Sequence, residues 1–169
     1  MVDVSHTSKA SMMPATALSR SPVIASHSSA RALCDHPRNL DDEQLDAIRD
    51  AGGVVPCVAL GGFVTAPSGP CDPVTVKVFV HHIDFVAGRI GIDHVGIASD
   101  FDGSGGITGW NDASETSNVT LELVTRGYSA SDIEKIWGGN LIRDWKAADR
   151  VAEQRQVGAR QPEVPPRAV

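Results

Sequence analysis

The chain has 169 residues, of which 41% are hydrophobic and 21% charged, and its formal net charge at pH 7 is −6. This length supports one domain with a hydrophobic core, and the acidic balance argues against nucleic acid, which binds to basic surfaces. No apolar run reaches the roughly 20 residues of a membrane span, and the first twenty residues lack the basic start and apolar stretch of a signal peptide. We therefore expect a cytoplasmic protein without a membrane partner.

Four short apolar runs recur along the chain, at residues 2–5, 22–26, 53–60 and 94–99. Each is too short for a helix and almost continuously apolar, which is typical of strands buried on both faces of a parallel sheet. Helical patterns lie between them. Four βα units in series predict an α/β fold with a parallel sheet. The pattern alone leaves open whether the units form half of an eight-stranded barrel or a small open sheet.

Local signals predict the ends of two helices. One helix begins after Asp41, an N-cap residue with Gln44 in the capping-box position, and ends at Gly52 or Gly53. A second covers residues 129–137, begins after an N-cap serine, and is interrupted by the glycine pair that follows it.

Residues 74–81 alternate between apolar and polar like a strand, yet the longer segment 76–90 has helical spacing. A helix over 76–90 is favoured, because a connection must cross over to reach the parallel strand at 94. The sequence after residue 150 is polar and rich in proline. We expect one domain over residues 1–150 and a disordered tail over residues 151–169.

Polar residues that can do chemistry follow three of the predicted strands. His6 follows the first strand, His27 the second and Asp100 the fourth. Because the carboxyl ends of parallel strands share one rim of the sheet, these side chains are expected to meet there. Two imidazoles can bind one metal ion, and a carboxylate can bind metal or transfer a proton. The alternative is that each histidine bonds its own loop and that Asp100 only stabilises a turn.

Arg38, just before the helix that begins after Asp41, suits a bidentate contact with a carboxylate. The alternative is a surface ion pair with Asp41 or Asp42. A further alternative is an open-sheet protein that binds a small anion through the glycine-rich segment 102–106, although it leaves both histidines unused. His81 and His82, within the predicted helix, are interpreted as surface or packing residues, and His94 is discounted as a ligand because it precedes the fourth strand, at the opposite end of the sheet from the site.

Five motifs, "DVSHTS", "PVIASHSSARAL", "HPRNLDDEQLDAI", "GIDHVGIASDFDG" and "GGNLIR", occur between Val2 and about Ala148. In order and spacing they resemble the zinc membrane-dipeptidase (renal dipeptidase) family, peptidase family M19. The resemblance implies a TIM (β/α)8 barrel with two zinc ions at the carboxyl ends of its strands, and an enzyme that hydrolyses dipeptides.

The resemblance also implies a role for each candidate residue. His6 and His27 match two ligands of the same zinc ion. Arg38 matches the arginine that holds the terminal carboxylate of the substrate. Asp100 matches the aspartate that handles protons at the scissile bond.

The family's His-x-Asp motif, bridging glutamate and substrate-contacting histidine would all precede Met1. The chain therefore resembles the C-terminal half of the barrel, strands five to eight, and is expected to hold at most one zinc ion well. We expect it to associate with a second copy or with a complementary N-terminal half. Two hypotheses remain: a zinc-dependent dipeptidase that carries part of a dinuclear site, and a non-catalytic or mononuclear metal-binding remnant of that family.

Overall fold

The computed structural model describes residues 1–64 and 74–159, with side chains described up to residue 156. Residues 65–73, and residues 160–169 of the tail predicted to be disordered, lie outside the described residues. The strands and α-helices, in chain order, are β1 Val2–Asp3, α1 Lys9–Leu18, β2 Val23–Ile24, α2 Asp42–Asp50, β3 Val55–Val58, α3 Gly61–Val64, α4 Val76–Ile90, β4 Val95–Ala98, α5 Thr116–Thr125, α6 Ala130–Glu134 and α7 Asn140–Ala159.

All four strands are parallel and lie side by side in chain order. β1 pairs with β2, and β3 pairs with β4. A parallel bridge between Ile24 and Val54 joins the two pairs, and the Ala25 N–H donates to the Val54 carbonyl at 3.1 Å. The prediction of an α/β fold with parallel strands is confirmed. Each strand is shorter than its apolar run, although backbone hydrogen bonds to the neighbouring strand continue beyond the strand ends, as from the Ala59 N–H to the Ala98 carbonyl at 2.9 Å.

The predicted helix caps are present. The Asp41 carboxylate accepts from the Gln44 N–H at 3.0 Å, and the Gln44 side chain accepts from the Asp41 N–H at 3.1 Å. α2 ends at Asp50, and Gly52 beyond it has a φ of 71°, a conformation that favours glycine. Ser129 caps α6 in the same way, and the helical run is broken at Gly138, where the backbone is non-helical.

α4 covers Val76–Ile90, which confirms the helical interpretation of that segment. Its inner face is fully buried against the sheet through Phe79, Ile83 and Val86. Trp110 packs on the same core, with its ring 5.6 Å from that of Phe79. The core therefore rests on aliphatic side chains from strands and helices, with few aromatic residues.

α7 continues to Ala159, so residues 151–159 are helical where a disordered tail is expected from residue 151. The reason is local, because residues 152–156 are Ala, Glu, Gln, Arg and Gln, all good helix formers with no glycine or proline among them. No helix within residues 1–64 and 74–159 combines the length and the apolar character that a membrane span requires.

Candidate metal and substrate site

His6 and His27 meet at the carboxyl ends of β1 and β2. Their Nε2 atoms are 2.7 Å apart and their ring centroids 4.7 Å apart. His6 has a φ of 64°, a left-handed conformation that turns the chain sharply after β1. The structure thus brings the two predicted histidines together from elements 21 residues apart. The two rings contact each other, so the alternative that each histidine bonds only its own loop does not hold.

Hydrogen bonds of Asp3 and of nearby serines hold together the two loops that carry His6 and His27. The Asp3 carboxylate accepts from the backbone N–H groups of Ser5 and Ser26 and from the Ser26 hydroxyl. The His27 N–H in turn donates to the Ser5 hydroxyl at 3.1 Å. Burial acts to raise the pKa of Asp3, but these hydrogen bonds outweigh it and lower the pKa below its ordinary value. Asp3 is therefore an ionised carboxylate at neutral pH.

The environment of His27 favours its neutral ring. Burial is the largest effect and lowers the pKa of His27, and the positive charge of Arg38 lowers it further. The negative charge of Asp100 opposes both. A neutral imidazole is the form that binds metal ions.

Arg38 joins the same cluster through its guanidinium group. Its Nη1 lies 2.8 Å from His6 Nδ1, and its Cζ lies 5.3 Å from the centre of the Phe63 ring. Burial lowers the pKa of Arg38, and the charges of Asp100 and Asp3 oppose that shift. Within the described residues, Nε and Nη2 of Arg38 are buried and have no hydrogen-bond partner.

The expected alternative partners of Arg38 are engaged elsewhere. Asp41 pairs with Lys9 at 2.8 Å, and Asp42 pairs with Arg89 at 2.9 Å. Nε and Nη2 form one edge of the guanidinium plane, which matches the two oxygens of a carboxylate. The geometry therefore favours an arginine that binds a carboxylate over a surface ion pair.

Asp100 follows β4 at the same rim, with a φ of 54°. The chain wraps tightly around it, because a Cβ on Gly103 would lie 2.4 Å from Asp100 Oδ1, and one on Gly105 would lie 2.0 Å from the Ser99 carbonyl oxygen. Its charge acts on both His27 and Arg38. All four candidate residues, His6, His27, Arg38 and Asp100, are thus gathered in one place.

The glycine-rich segment after Asp100 is not arranged to bind an anion through its backbone. The N–H groups of Gly103 and Gly105 both donate to the Asp100 carbonyl, at 2.9 and 2.7 Å. The Gly106 N–H donates to the Ala59 carbonyl at 2.9 Å. These three donors are used within the fold, which removes the basis for the anion-binding alternative.

Two buried polar residues support the site, and sequence reasoning gave neither this role. Asn39 accepts from the Ser29 N–H and donates to the carbonyls of Cys34 and Phe63. His82 accepts from the Ala30 N–H at 3.1 Å, and its other ring nitrogen lies 3.4 Å from the Val64 carbonyl. Both residues therefore tie the loop after His27 to the helix that carries Phe63. The sequence held one signal, since His82 shares the helical spacing of Phe79 and Val86.

The histidine pair offers a metal ion two ligands, and its Nε2 atoms, now 2.7 Å apart, would have to separate to about 3.3 Å to bind one tetrahedral zinc ion at about 2 Å each. Two imidazole nitrogens that converge from separate loops are the donor type that zinc prefers. Among the described residues, no group of three or more His, Cys, Asp and Glu side chains could hold a metal ion. A four-coordinate metal here would take its remaining ligands from outside this histidine pair.

The sequence matches the family model described as membrane dipeptidase (peptidase family M19) over residues 1–158. The dipeptidase ataJ of Aspergillus terreus is 40% identical over 158 residues, which make up 93% of this chain and 38% of that protein. The dipeptidase tcpJ of Claviceps purpurea is 38% identical over 157 residues, 92% of this chain and 36% of that protein. The chain thus spans less than half the length of these curated relatives.

Solved structures give the same result. The probable dipeptidase PvdM from Pseudomonas aeruginosa has a TM-score of 0.83 and 35% identity, and the match covers 89% of this chain and 50% of that one. A metallo peptidase from Rhodobacter sphaeroides, liganded with a phosphinate mimic of the dipeptide L-Ala-D-Ala, has a TM-score of 0.81 and 28% identity, covering 87% of this chain and 42% of that one. The chain belongs to the membrane dipeptidase family, peptidase family M19.

Proposed function

We propose that this chain carries half of the active site of a zinc-dependent dipeptidase. In this proposal its strands are the fifth to eighth of a (β/α)8 barrel, and a complementary N-terminal half or a second copy completes the site. The observation that carries the proposal is the buried edge of Arg38, with Nε and Nη2 unpartnered in the described part of the chain. This edge lies beside two converging imidazoles, because Nη1 of the same guanidinium contacts His6.

His6 and His27 are the residues that would hold a zinc ion. Zinc bound at such a site polarises a carbonyl and lowers the pKa of its bound water to about 7. The two rings supply nitrogen donors, and burial lowers the pKa of His27, which favours the neutral form that binds metal ions. The chain is proposed to hold one zinc ion well, since its described residues gather two such donors.

Arg38 is proposed to bind the terminal carboxylate of a dipeptide. A bidentate contact would satisfy two buried donors that have no partner among the described residues, and charge-assisted hydrogen bonds of this kind are strong. The Phe63 ring covers the guanidinium group and limits its movement. Arg38 would thereby fix the substrate so that its peptide bond lies near the histidine pair.

Asp100 is proposed to take a proton from the attacking water and to pass it to the leaving amine. Its backbone is fixed by the N–H groups of Gly103 and Gly105, so the carboxylate is held at the rim. Within the described residues no hydrogen bond or ion pair to its carboxylate is found, which leaves the group available to a substrate. The phosphinate dipeptide mimic held by the Rhodobacter sphaeroides relative supports dipeptides as the substrate class.

A double-mutant cycle tests the role of Arg38. Binding of a dipeptide and of its C-terminal amide is measured by calorimetry for the zinc-loaded full chain and for Arg38→Ala. Loss of the substrate carboxylate should weaken binding about 10- to 100-fold in the parent chain and have almost no further effect in Arg38→Ala. Arg20→Ala, an exposed arginine outside the site, is the matched control. An equal effect of the amide in both proteins would refute the assignment.

The second candidate function is a mononuclear metal-binding module without hydrolytic activity. It is favoured by the two-donor composition of the histidine pair and the lack of a larger ligand group among the described residues. A dipeptide hydrolysis assay on the zinc-loaded chain, alone and with a complementary N-terminal half, separates the two. Activity that appears with the complementary half and is lost in Asp100→Asn supports the dipeptidase, and zinc binding without any turnover supports the module.

A further inference from the structure

A continuous chain of four hydrogen bonds runs through the site from Arg38 to Asp3. Arg38 Nη1 lies 2.8 Å from His6 Nδ1, and His6 Nε2 lies 2.7 Å from His27 Nε2. His27 Nδ1 lies 2.8 Å from the Ser26 hydroxyl, which lies 2.6 Å from Asp3 Oδ2. Its two ends are a guanidinium, which can only donate, and a carboxylate, which can only accept.

The carboxylate end fixes the protons on His27. Ionised Asp3 accepts only, and the Ser26 hydroxyl has one hydrogen, which must therefore point to Asp3 Oδ2. The Ser26 oxygen then has to accept from His27, so Nδ1 of that ring carries the proton. A neutral His27 consequently has a free lone pair on Nε2, the atom that faces His6.

The arginine end independently gives the same direction of hydrogen-bond donation, from His6 to His27. Arg38 Nη1 donates to His6, so His6 Nδ1 carries no proton and Nε2 of the neutral ring does. His6 Nε2 then donates to the lone pair of His27 Nε2. All four bonds agree on one arrangement of protons. Of the two rings, only that of His27 has an unprotonated Nε2 that can bind a metal ion in the metal-free protein.

We infer that Asp3, acting through Ser26, is a positioning residue that sets the tautomer of His27 and so prepares Nε2 as a metal ligand. This inference rests on the proposed function, which makes His27 a zinc ligand. A carboxylate behind a ligating histidine commonly orients the ring and raises the basicity of the ligand. Here the serine hydroxyl transmits that effect, because Asp3 itself bonds the serine and not the ring.

Replacement of Asp3 by asparagine offers a selective test. The Oδ1 position also accepts from the backbone N–H groups of Ser5 and Ser26, at 3.0 and 3.1 Å. If the amide oxygen keeps those two bonds, its NH2 group occupies the Oδ2 position and donates to Ser26. The Ser26 hydroxyl must then donate to His27 Nδ1, which moves the ring proton to Nε2. An Asp-to-Asn change behind a histidine is known to impose the wrong tautomer while preserving the geometry.

The experiment makes two measurements on the full chain. The ring tautomers are read in the metal-free protein from two-bond 1H–15N correlations, and the affinity for Zn2+ is measured by competition with a chromophoric chelator. In the parent chain His27 should carry its proton on Nδ1. Asp3→Asn should move it to Nε2 and weaken Zn2+ binding about 10- to 100-fold. Ser26→Thr keeps the hydroxyl and should keep both properties, whereas Ser26→Ala should lose the Nδ1 tautomer.

Asp102→Asn is the matched control, because it removes one exposed negative charge from the loop after β4 without touching this hydrogen-bonded chain. It should leave the tautomer and the affinity close to those of the parent. An Nε2-protonated His27 in the parent chain, or an Asp3→Asn variant with unchanged tautomer and Zn2+ affinity, would overturn the inference. A parent chain that binds no Zn2+ would refute the proposed function, while the tautomer readings would still decide the role of Asp3.

Discussion

His82 should make the stability of this protein depend on pH in the mildly acidic range. Its side chain is 1% exposed, and one ring nitrogen accepts from the Ala30 N–H. The second nitrogen faces the Val64 carbonyl, which requires a proton on that atom. A neutral ring satisfies both contacts, whereas a doubly protonated ring would set an N–H against the Ala30 N–H. Burial lowers the pKa of His82 to about 4.

The sign and size of the effect follow from linkage. The unfolded chain binds the His82 proton near pH 6.5, whereas the folded chain binds it near 4. The stabilisation from neutral His82 is therefore complete above about pH 6.5 and is lost as the pH falls toward 4. Between pH 7 and pH 5 the unfolded state gains the proton and the folded state does not. At about 1.4 kcal/mol per pH unit over this window, the free energy of unfolding should fall by about 2 kcal/mol.

Urea unfolding of the parent chain and of His82→Gln, each at pH 7 and pH 5 with a chelator present, isolates this contribution. Glutamine can accept from Ala30 and donate to Val64 without titrating in this range. The parent should lose about 2 kcal/mol more than the variant on acidification. His81→Gln, its exposed neighbour on α4, is the control and should behave like the parent. Equal pH dependence of the parent and His82→Gln would refute the reasoning.

Further predictions concern the backbone and the buried polar contacts, all measured as free energies of unfolding in urea. Gly53→Ala should be strongly destabilising, because a Cβ there would lie 2.1 Å from the Val23 carbonyl oxygen. Gly88→Ala, in open space on α4, is the control and should stabilise the protein by up to about 1 kcal/mol. Equal effects of the two substitutions would contradict the close approach at Gly53. Asn39→Ala should cost about 3 kcal/mol, because it leaves the Ser29 N–H and two carbonyls unpaired in the interior, and a loss below about 1 kcal/mol would show that these groups find other partners. Asp41→Ala should cost about 1 kcal/mol through loss of the N-cap of α2, and an unchanged stability would show that the cap is dispensable.

The features of the fold that depend on residues close together in the sequence could be predicted from the sequence. The caps at Asp41 and Ser129 and the bounds of α4 follow from short-range spacing, and the structure has them as expected. The pattern assigns no bounds to α1, whose Pro14 lacks the N–H of an ordinary helical residue. α7 extends to Ala159, past the predicted start of the tail at residue 151, because the polar residues there favour a helix.

The candidate site was predictable only in part. The rule that parallel strands end at one rim was enough to place His6, His27 and Asp100 together. It could not choose between a free Arg38 and an ion-paired one, because the answer depends on Lys9 and Arg89 taking the nearby carboxylates from other helices. The bond from Ser26 to Asp3 spans 23 residues, so nothing in the local sequence reveals it.

The central claim, that His6 and His27 together bind one metal ion, is tested most directly by titration of the metal-free full chain with Zn2+. We expect about one Zn2+ per chain, with binding abolished by His6→Ala and by His27→Ala and retained in His81→Ala, an exposed histidine on α4. Zn2+ binding that survives both site substitutions, or a stoichiometry of about two in the parent chain, would contradict the account.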